Sequence, residues 1–179
     1  MRVIAGEFRS RRLKTLAGLA LRPTPDRLRE SLFSVIAARV RGCVFVDAYA
    51  GCGAVGIEAL SRGAARAVLL EKHRPAVRLI EENLAALGIA DRAQVVAGPA
   101  AALLTRFPGD IVFLDPPYDQ AGEYSRALSA LGENPPPLVI AQHASRFQLA
   151  DEYGRLRRVR LLKQGDNSLS FFEPATPAL

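Results

Sequence analysis

The 179-residue sequence predicts an α/β fold with a mostly parallel sheet whose last strand runs antiparallel. Three observations carry that expectation. From Val44 onward, short apolar runs alternate with helical patterns, as in strand–helix–strand units whose sheet is covered on both faces. A glycine turn, Gly51-x-Gly53-x-x-Gly56, separates the first run from the first helical pattern. The end then breaks the alternation: "RLRRVRLLKQGDNSLSFFEP" sets two strand-like runs around the turn "QGDN" with no helix between them. Two strands joined so closely form a hairpin.

The elements follow in order. "MRVIAG" and "RRLKTL" read as short strands joined by "EFRS", a basic β-hairpin. In "RPTPDRLRESLFSVIAARV", turn prolines precede Asp26, a fair N-cap, and Leu28, Leu32, Phe33, Val35 and Ile36 form an apolar helical face. Buried strands are expected at 44–48, 67–71, 93–97, 110–115 and 137–142. Helices are expected at about 54–62, 74–87, 99–106 and 121–131. Asn83, Gly88, Gly109 and Pro135-Pro136-Pro137 punctuate the joins. Residues 1–41 thus form an appended hairpin and helix, and residues 42–179 the α/β domain.

Composition narrows the function. Hydrophobic residues make up 49% and charged residues 23%, so one domain with a substantial core is expected. No apolar run reaches the roughly 18–20 residues of a membrane span, and the basic start lacks a signal peptide's apolar block. A cytoplasmic monomer without a membrane partner is the expectation. Two cysteines and two histidines are too few for a disulfide scaffold or a metal centre; Cys52 reads as a small residue filling the glycine loop. The net charge of +6 is uneven: residues 1–41 hold ten bases against three acids, leaving fourteen against fifteen elsewhere. A near-neutral body with a basic N-terminal segment is the footprint of a polyanion binder. Arg9, Arg11, Arg12 and Lys14 in the hairpin are candidates to grip an RNA backbone.

Read literally, Gly51, Gly53 and Gly56 with Glu71 twenty residues after the first glycine are a dinucleotide fingerprint. Asp47 argues against it. A carboxylate at the end of that strand would face the pyrophosphate, and like charges about 4–6 Å apart cost about 1–3 kcal/mol near a surface. S-adenosylmethionine suits the site better: it has a cationic ammonium and sulfonium, no phosphate, and a ribose diol for Glu71. The glycines then allow close backbone approach.

The fourth strand ends in Asp115-Pro116-Pro117-Tyr118. Two prolines stiffen the loop and leave the Pro116 carbonyl few partners within secondary structure. That carbonyl and the Asp115 carboxylate can accept both hydrogens of a planar exocyclic amine, turning its lone pair toward a methyl group on sulfur. Tyr118 can stack on the ring that bears the amine.

The tetrapeptide resembles that of the amino-methyltransferases acting on exocyclic nitrogens. The whole chain resembles the RsmD family, guanine-N2 methyltransferases of 16S ribosomal RNA. The likeness rests on "MRVIAGEFRSRRL", "LRPTPDRLRESLF", "DAYAGCGAVGIEALSRGA", "LLEK", "LDPPY" and "QGDNSLSFF". It implies a Rossmann-like class I methyltransferase fold of seven strands. By matching positions it implies Asp47, Gly51, Gly53 and Glu71 at the cofactor, and Asp115, Pro116 and Tyr118 at the target base. Arg27 and Arg29 resemble the region near the methionine carboxylate, which suits an Arg fork; Arg29 could equally be solvated. Two departures stand out. Pro99 replaces an acidic or amide residue that reaches adenine in many relatives, leaving the Ala100 N–H for that contact. Gln142 stands where relatives often carry an acid.

The expected reaction is methyl transfer from S-adenosylmethionine to guanine N2 in small-subunit rRNA, free or within the assembled subunit. The catalytic contribution is mainly positioning. Adenine-N6 methylation of DNA or RNA is the alternative within the class, because the tetrapeptide also fits an adenine amine. Glutamine methylation, an NAD(P) oxidoreductase and a non-catalytic RNA-binding domain are the more distant readings.

Overall fold

A computed structural model describes residues 1–16, 25–117 and 121–176. Eight strands form one sheet in the order β3-β2-β1-β4-β5-β8-β7-β6. The parallel part comprises β1 (Val44–Ala48), β2 (Arg66–Glu71), β3 (Ala93–Ala97), β4 (Ile111–Leu114) and β5 (Leu138–Ala144). β8 (Asn167–Pro174) runs antiparallel between β5 and β7 (Leu156–Gln164). The expected seven strands become eight because β6 (Glu152–Tyr153) adds a two-residue edge beside the start of β7. A strand that short leaves no alternating pattern to read.

The central strands are apolar on both faces because helices cover both. On one side α1 (Asp26–Val35), α3 (Ala54–Ser61) and α4 (Arg74–Leu87) bury Phe33, Phe45, Ile57, Leu69, Ile80, Phe113 and Ile140. Between α1 and β1 lies a short turn of helix, α2 (Ala37–Val40). On the other side α5 (Ala100–Leu103) and α6 (Ala121–Glu133) contribute to a second cluster with Val46, Val112, Leu114, Val139 and Phe172. Every residue of α3 is buried, the mark of a helix enclosed all round. Gly56 makes that possible. A Cβ there would stand 2.9 Å from Leu69 Cδ2 and 3.3 Å from Asp47 Cβ, so a larger residue would have to displace the buried Leu69 side chain for the helix to lie this close to the sheet.

The α1 cap differs from expectation. Pro25 occupies the cap position and Asp26 is the first helical residue, its carboxylate accepting from Arg29 instead. The N-terminal hairpin pairs through one antiparallel bridge, Arg2 to Arg12. Within it Val3 N donates to the Arg11 carbonyl, Leu13 N to the Met1 carbonyl and Ser10 N to the Val3 carbonyl, and α3 and α4 hold further backbone groups. Buried Glu58 accepts from Ile4 N (2.8 Å), Ala5 N (3.0 Å) and Arg62 Nε (2.7 Å). Ser61 Oγ accepts from Phe8 N and donates to the Ala5 carbonyl. Gly6, at φ +84°, passes so near that a Cβ would overlap the Ser61 carbonyl. Asn83, read from sequence as a join, lies buried within α4: Oδ1 accepts from Lys14 N and Nδ2 donates to the Lys14 and Cys52 carbonyls. One amide thus ties the arm to the glycine loop.

Candidate active site

In parallel sheets of this kind ligands bind beyond the carboxyl ends of the strands, where strand order reverses. Here that point lies between β1 and β4. Asp47, Glu71 and Asp115 come from the ends of β1, β2 and β4. Phe45, Leu69 and Phe113, two residues before each, all belong to the core beneath α1 and α3. Strand alternation therefore directs all three carboxylates to one face.

Burial pushes the Asp47 carboxyl up to about 7; the Gly56 N–H pulls the other way, and the charges of Asp115 and Glu71 add to the rise. Asp47 Oδ2 accepts from Gly56 N at 2.8 Å, inside the first turn of α3. One oxygen thus secures the helix, which the sequence reading, with Asp47 facing a ligand, did not anticipate. Glu71 also braces the loop: Oε2 accepts from Gly51 N and Oε1 from His73 N, both at 2.8 Å. A ribose diol would use the second lone pair on each oxygen. Gly51 and Gly53 adopt φ of +59° and +80°, and Gly53 is the residue before α3.

Tyr49 is a residue the sequence reading missed. It follows β1 with φ +67°, a costly conformation for a bulky side chain. Its hydroxyl donates to Glu123 Oε2 on α6 at 3.0 Å, and Arg126 pairs with Glu123. Burial and the bond to Glu123 push the phenol well above its usual range. Nothing local in "DAYAG" marks this; the bond spans 74 residues.

The two arginines of α1 separate. Arg27 is exposed. Arg29 is fully buried, not solvated: Nη2 donates to the Arg2 carbonyl (2.6 Å) and to Asp26 (3.0 Å), while Nε and Nη1 have no partner among the described residues. Its charge is felt at Cys52 in the glycine loop, opposing the rise that burial causes there. Of the two arginines Arg29 is thus the one held in a buried setting, and its Nε and Nη1, without a partner among the described residues, are donors available there. Cys52 itself is half-buried, its Sγ 3.7 Å from Met1 Sδ.

At the β4 corner Pro116 is buried, and Asp115 is half-buried. Tyr118 lies outside the described residues. Ala100, the first residue of α5, is buried beside Pro99 at the cap. In the arm, Arg9, Arg11, Arg12 and Lys14 are all exposed. Arg11 donates to the Ala86 carbonyl, and Lys14 pairs with Glu82 at 2.8 Å, with more than half of each side chain in solvent; such a pair leaves the Lys14 charge available. Among the described residues no His, Cys, Asp or Glu cluster could hold a metal ion, and no helix is long and apolar enough to cross a membrane.

Acidic groups at the ends of β1 and β2, a buried guanidinium with spare donors, and a stiff acceptor corner after β4 suit a ligand with cationic and carboxylate ends. Fold and site together define a class I methyltransferase. A family described as "Conserved hypothetical protein 95" matches residues 1–173. YlbH of Bacillus subtilis (strain 168), provisionally named an rRNA methyltransferase, is 32% identical over 97% of this chain and 98% of its own. Ribosomal RNA small subunit methyltransferase D of Escherichia coli (strain K12) is 40% identical over 75% of this chain and 68% of its own. The solved structure of yhhF from Escherichia coli, provisionally named a methyltransferase, superposes with a TM-score of 0.85 at 32% identity, covering 98% of both chains. The chain belongs to this family, that of the small-subunit rRNA methyltransferases D. An RNA methyltransferase from Salinibacter ruber, solved with S-adenosyl-L-homocysteine, shares the fold at a TM-score of 0.66 and 19% identity.

Proposed function

We propose that this protein transfers a methyl group from S-adenosylmethionine to the N2 amine of one guanine in small-subunit ribosomal RNA. The observation that carries the reading is the convergence of Asp47, Glu71 and Asp115 on one sheet face. Asp47 would hold the cofactor's cationic end, Glu71 its ribose, and Arg29 its carboxylate. Gly51 and Gly53 admit close approach, and the Ala100 backbone borders the adenine. When bound, the cofactor supplies a methyl group on a positively charged sulfur.

The chain's own residues position the acceptor. Asp115 and the Pro116 carbonyl accept the two hydrogens of the target amine, with Tyr118 stacked on the base. As the nitrogen gains positive charge, Asp115 and the carbonyl dipole stabilise it more than they stabilise the neutral amine. No strong base is required, because the methylated cationic amine loses its proton to water. A duplex base cannot reach this corner, so the nucleotide enters unpaired or flipped. The arm residues Arg9, Arg11, Arg12 and Lys14 hold the flanking phosphates.

Small subunits lacking the modification, incubated with methyl-labelled cofactor and digested to nucleosides, test the reading. Label in N2-methylguanosine at a single mapped position is expected. Label in N6-methyladenosine would replace it with the adenine alternative.

A further inference from the structure

Gln142 sits beside the catalytic corner with an acceptor that the fold does not use. In the β4–β5 register Leu114 pairs with Ala141, so Asp115 and Gln142 are the next residues on adjoining strands, their Cα atoms about 5 Å apart. Phe113 and Ile140, two residues earlier, lie in the same core; alternation therefore places Asp115 and Gln142 on one sheet face. Gln142 is buried, and its Oε1 has no hydrogen-bond partner among the described residues. On its other flank it pairs with Leu169 of β8, whose side chain offers only hydrocarbon. Of the two polar atoms of the amide, the carbonyl oxygen is the one that is both fully buried and without a partner among the described residues. A buried acceptor without a donor points to a ligand that brings one.

We propose that Gln142 determines base specificity, its Oε1 accepting the N1–H of the target guanine while Asp115 and the Pro116 carbonyl hold the N2 amine. The inference rests on the guanine-N2 reading above. In guanine the N1–H is adjacent to the C2 amine, so a base offered amine-first to Asp115 carries that donor toward the neighbouring strand. Adenine carries a lone pair on N1 next to its amine, and Gln142 Oε1 would meet an acceptor. A site whose buried polar group goes unpaired with the wrong substrate discriminates far more than one built on shape alone. Because the amide is buried, the base must enter edge-first, fully out of its stack.

The test uses the full chain and target RNA carrying analogues at the mapped nucleotide. 2-Aminopurine keeps the C2 amine but has no hydrogen on N1; 1-methylguanine keeps the amine and blocks N1. Wild-type enzyme is expected to prefer guanine over 2-aminopurine by at least about tenfold in kcat/KM, the effect of one buried hydrogen bond, and to leave 1-methylguanine unmodified. Gln142→Leu should narrow the guanine preference by about tenfold with cofactor affinity unchanged. Gln142→Glu, which retains an acceptor, should keep the preference. An unchanged ratio in Gln142→Leu, or wild-type methylation of 1-methylguanine as fast as guanine, overturns the proposal; the second result needs no variant to fold. Absence of N2 methylation on unmodified guanine would instead overturn the function reading itself.

Discussion

The two halves of the crevice use their polar groups differently. On the β1–β2 side the carboxylates and the buried amide already have internal partners: Asp47 holds Gly56, Glu71 holds Gly51 and His73, and Asn83 holds Cys52, while Arg29 Nε and Nη1 are left without a partner among the described residues. On the β4–β5 side the backbone is stiffened by Pro116 and Pro117 while Gln142 Oε1 is left without a partner among the described residues. The first half has its glycine loop braced by acceptors within the fold and keeps spare donors on Arg29; the second keeps a spare acceptor on Gln142. That division suits a reaction in which the donor site is pre-formed and the acceptor is recognised by its edge.

The sharpest way to break the contrast is Asp115→Ala. Turnover should fall about a thousandfold, in the range of removing one preorganised transition-state partner, while cofactor affinity stays within about twofold. Steady-state rates beside calorimetric titration read both. Next comes Glu58→Ala, which removes the buried carboxylate beneath Ile4 and Ala5 and leaves their N–H groups unpaired. A loss of about 3 kcal/mol in urea unfolding is expected, and the arm should become protease-sensitive with the sheet intact.

A pH-dependent effect separates the roles of Asp47. Its folded carboxyl titrates near 7, raised chiefly by burial, whereas in the unfolded chain it titrates near 4. Between those values the folded state binds more protons, so this group's contribution to stability declines as pH rises from 4 to 7 and is constant above. Asp47→Asn should flatten that decline, gaining up to about 4 kcal/mol on the unliganded wild type at pH 8 relative to pH 4, the worth of a shift of about three pH units. The same variant should bind the cofactor more weakly at pH 8. Equal pH profiles for both proteins would show that Asp47 is ionised throughout. The mildest perturbation is on the arm: neutralising Arg9 and Arg12 should reduce the salt slope of RNA binding by about one unit for each phosphate no longer neutralised, with cofactor binding unaltered.

Much of this architecture could be read from the sequence because buried parallel strands are continuous apolar runs between turn residues. β1 and β3 fall at the expected bounds, and β2, β4 and β5 within two residues of them. The two-residue β6 and the single-bridge pairing of the arm could not be read that way. The arm's hydrogen bonds go to partners such as Glu58 and Asn83, more than fifty residues distant, and no local pattern encodes them. The carboxylates of the site were legible by position, from spacing and strand ends. Their internal duties were not: that Asp47 and Glu71 also brace the glycine loop follows only from how α3 and β2 pack. Likewise, the two arginines of α1 look alike in "DRLRE", and only the helix's rotation against the sheet buries Arg29 and exposes Arg27.

Single-turnover methyl transfer to unmodified small subunits, followed across cofactor concentration for Glu71→Ala and Asp115→Ala, tests this division of labour most directly. The account predicts that saturating cofactor restores most of the rate to Glu71→Ala, whose dissociation constant rises about tenfold to a hundredfold once its charged hydrogen bonds are removed, and none to Asp115→Ala. Recovery of Asp115→Ala at high cofactor, with Glu71→Ala remaining slow, would contradict it.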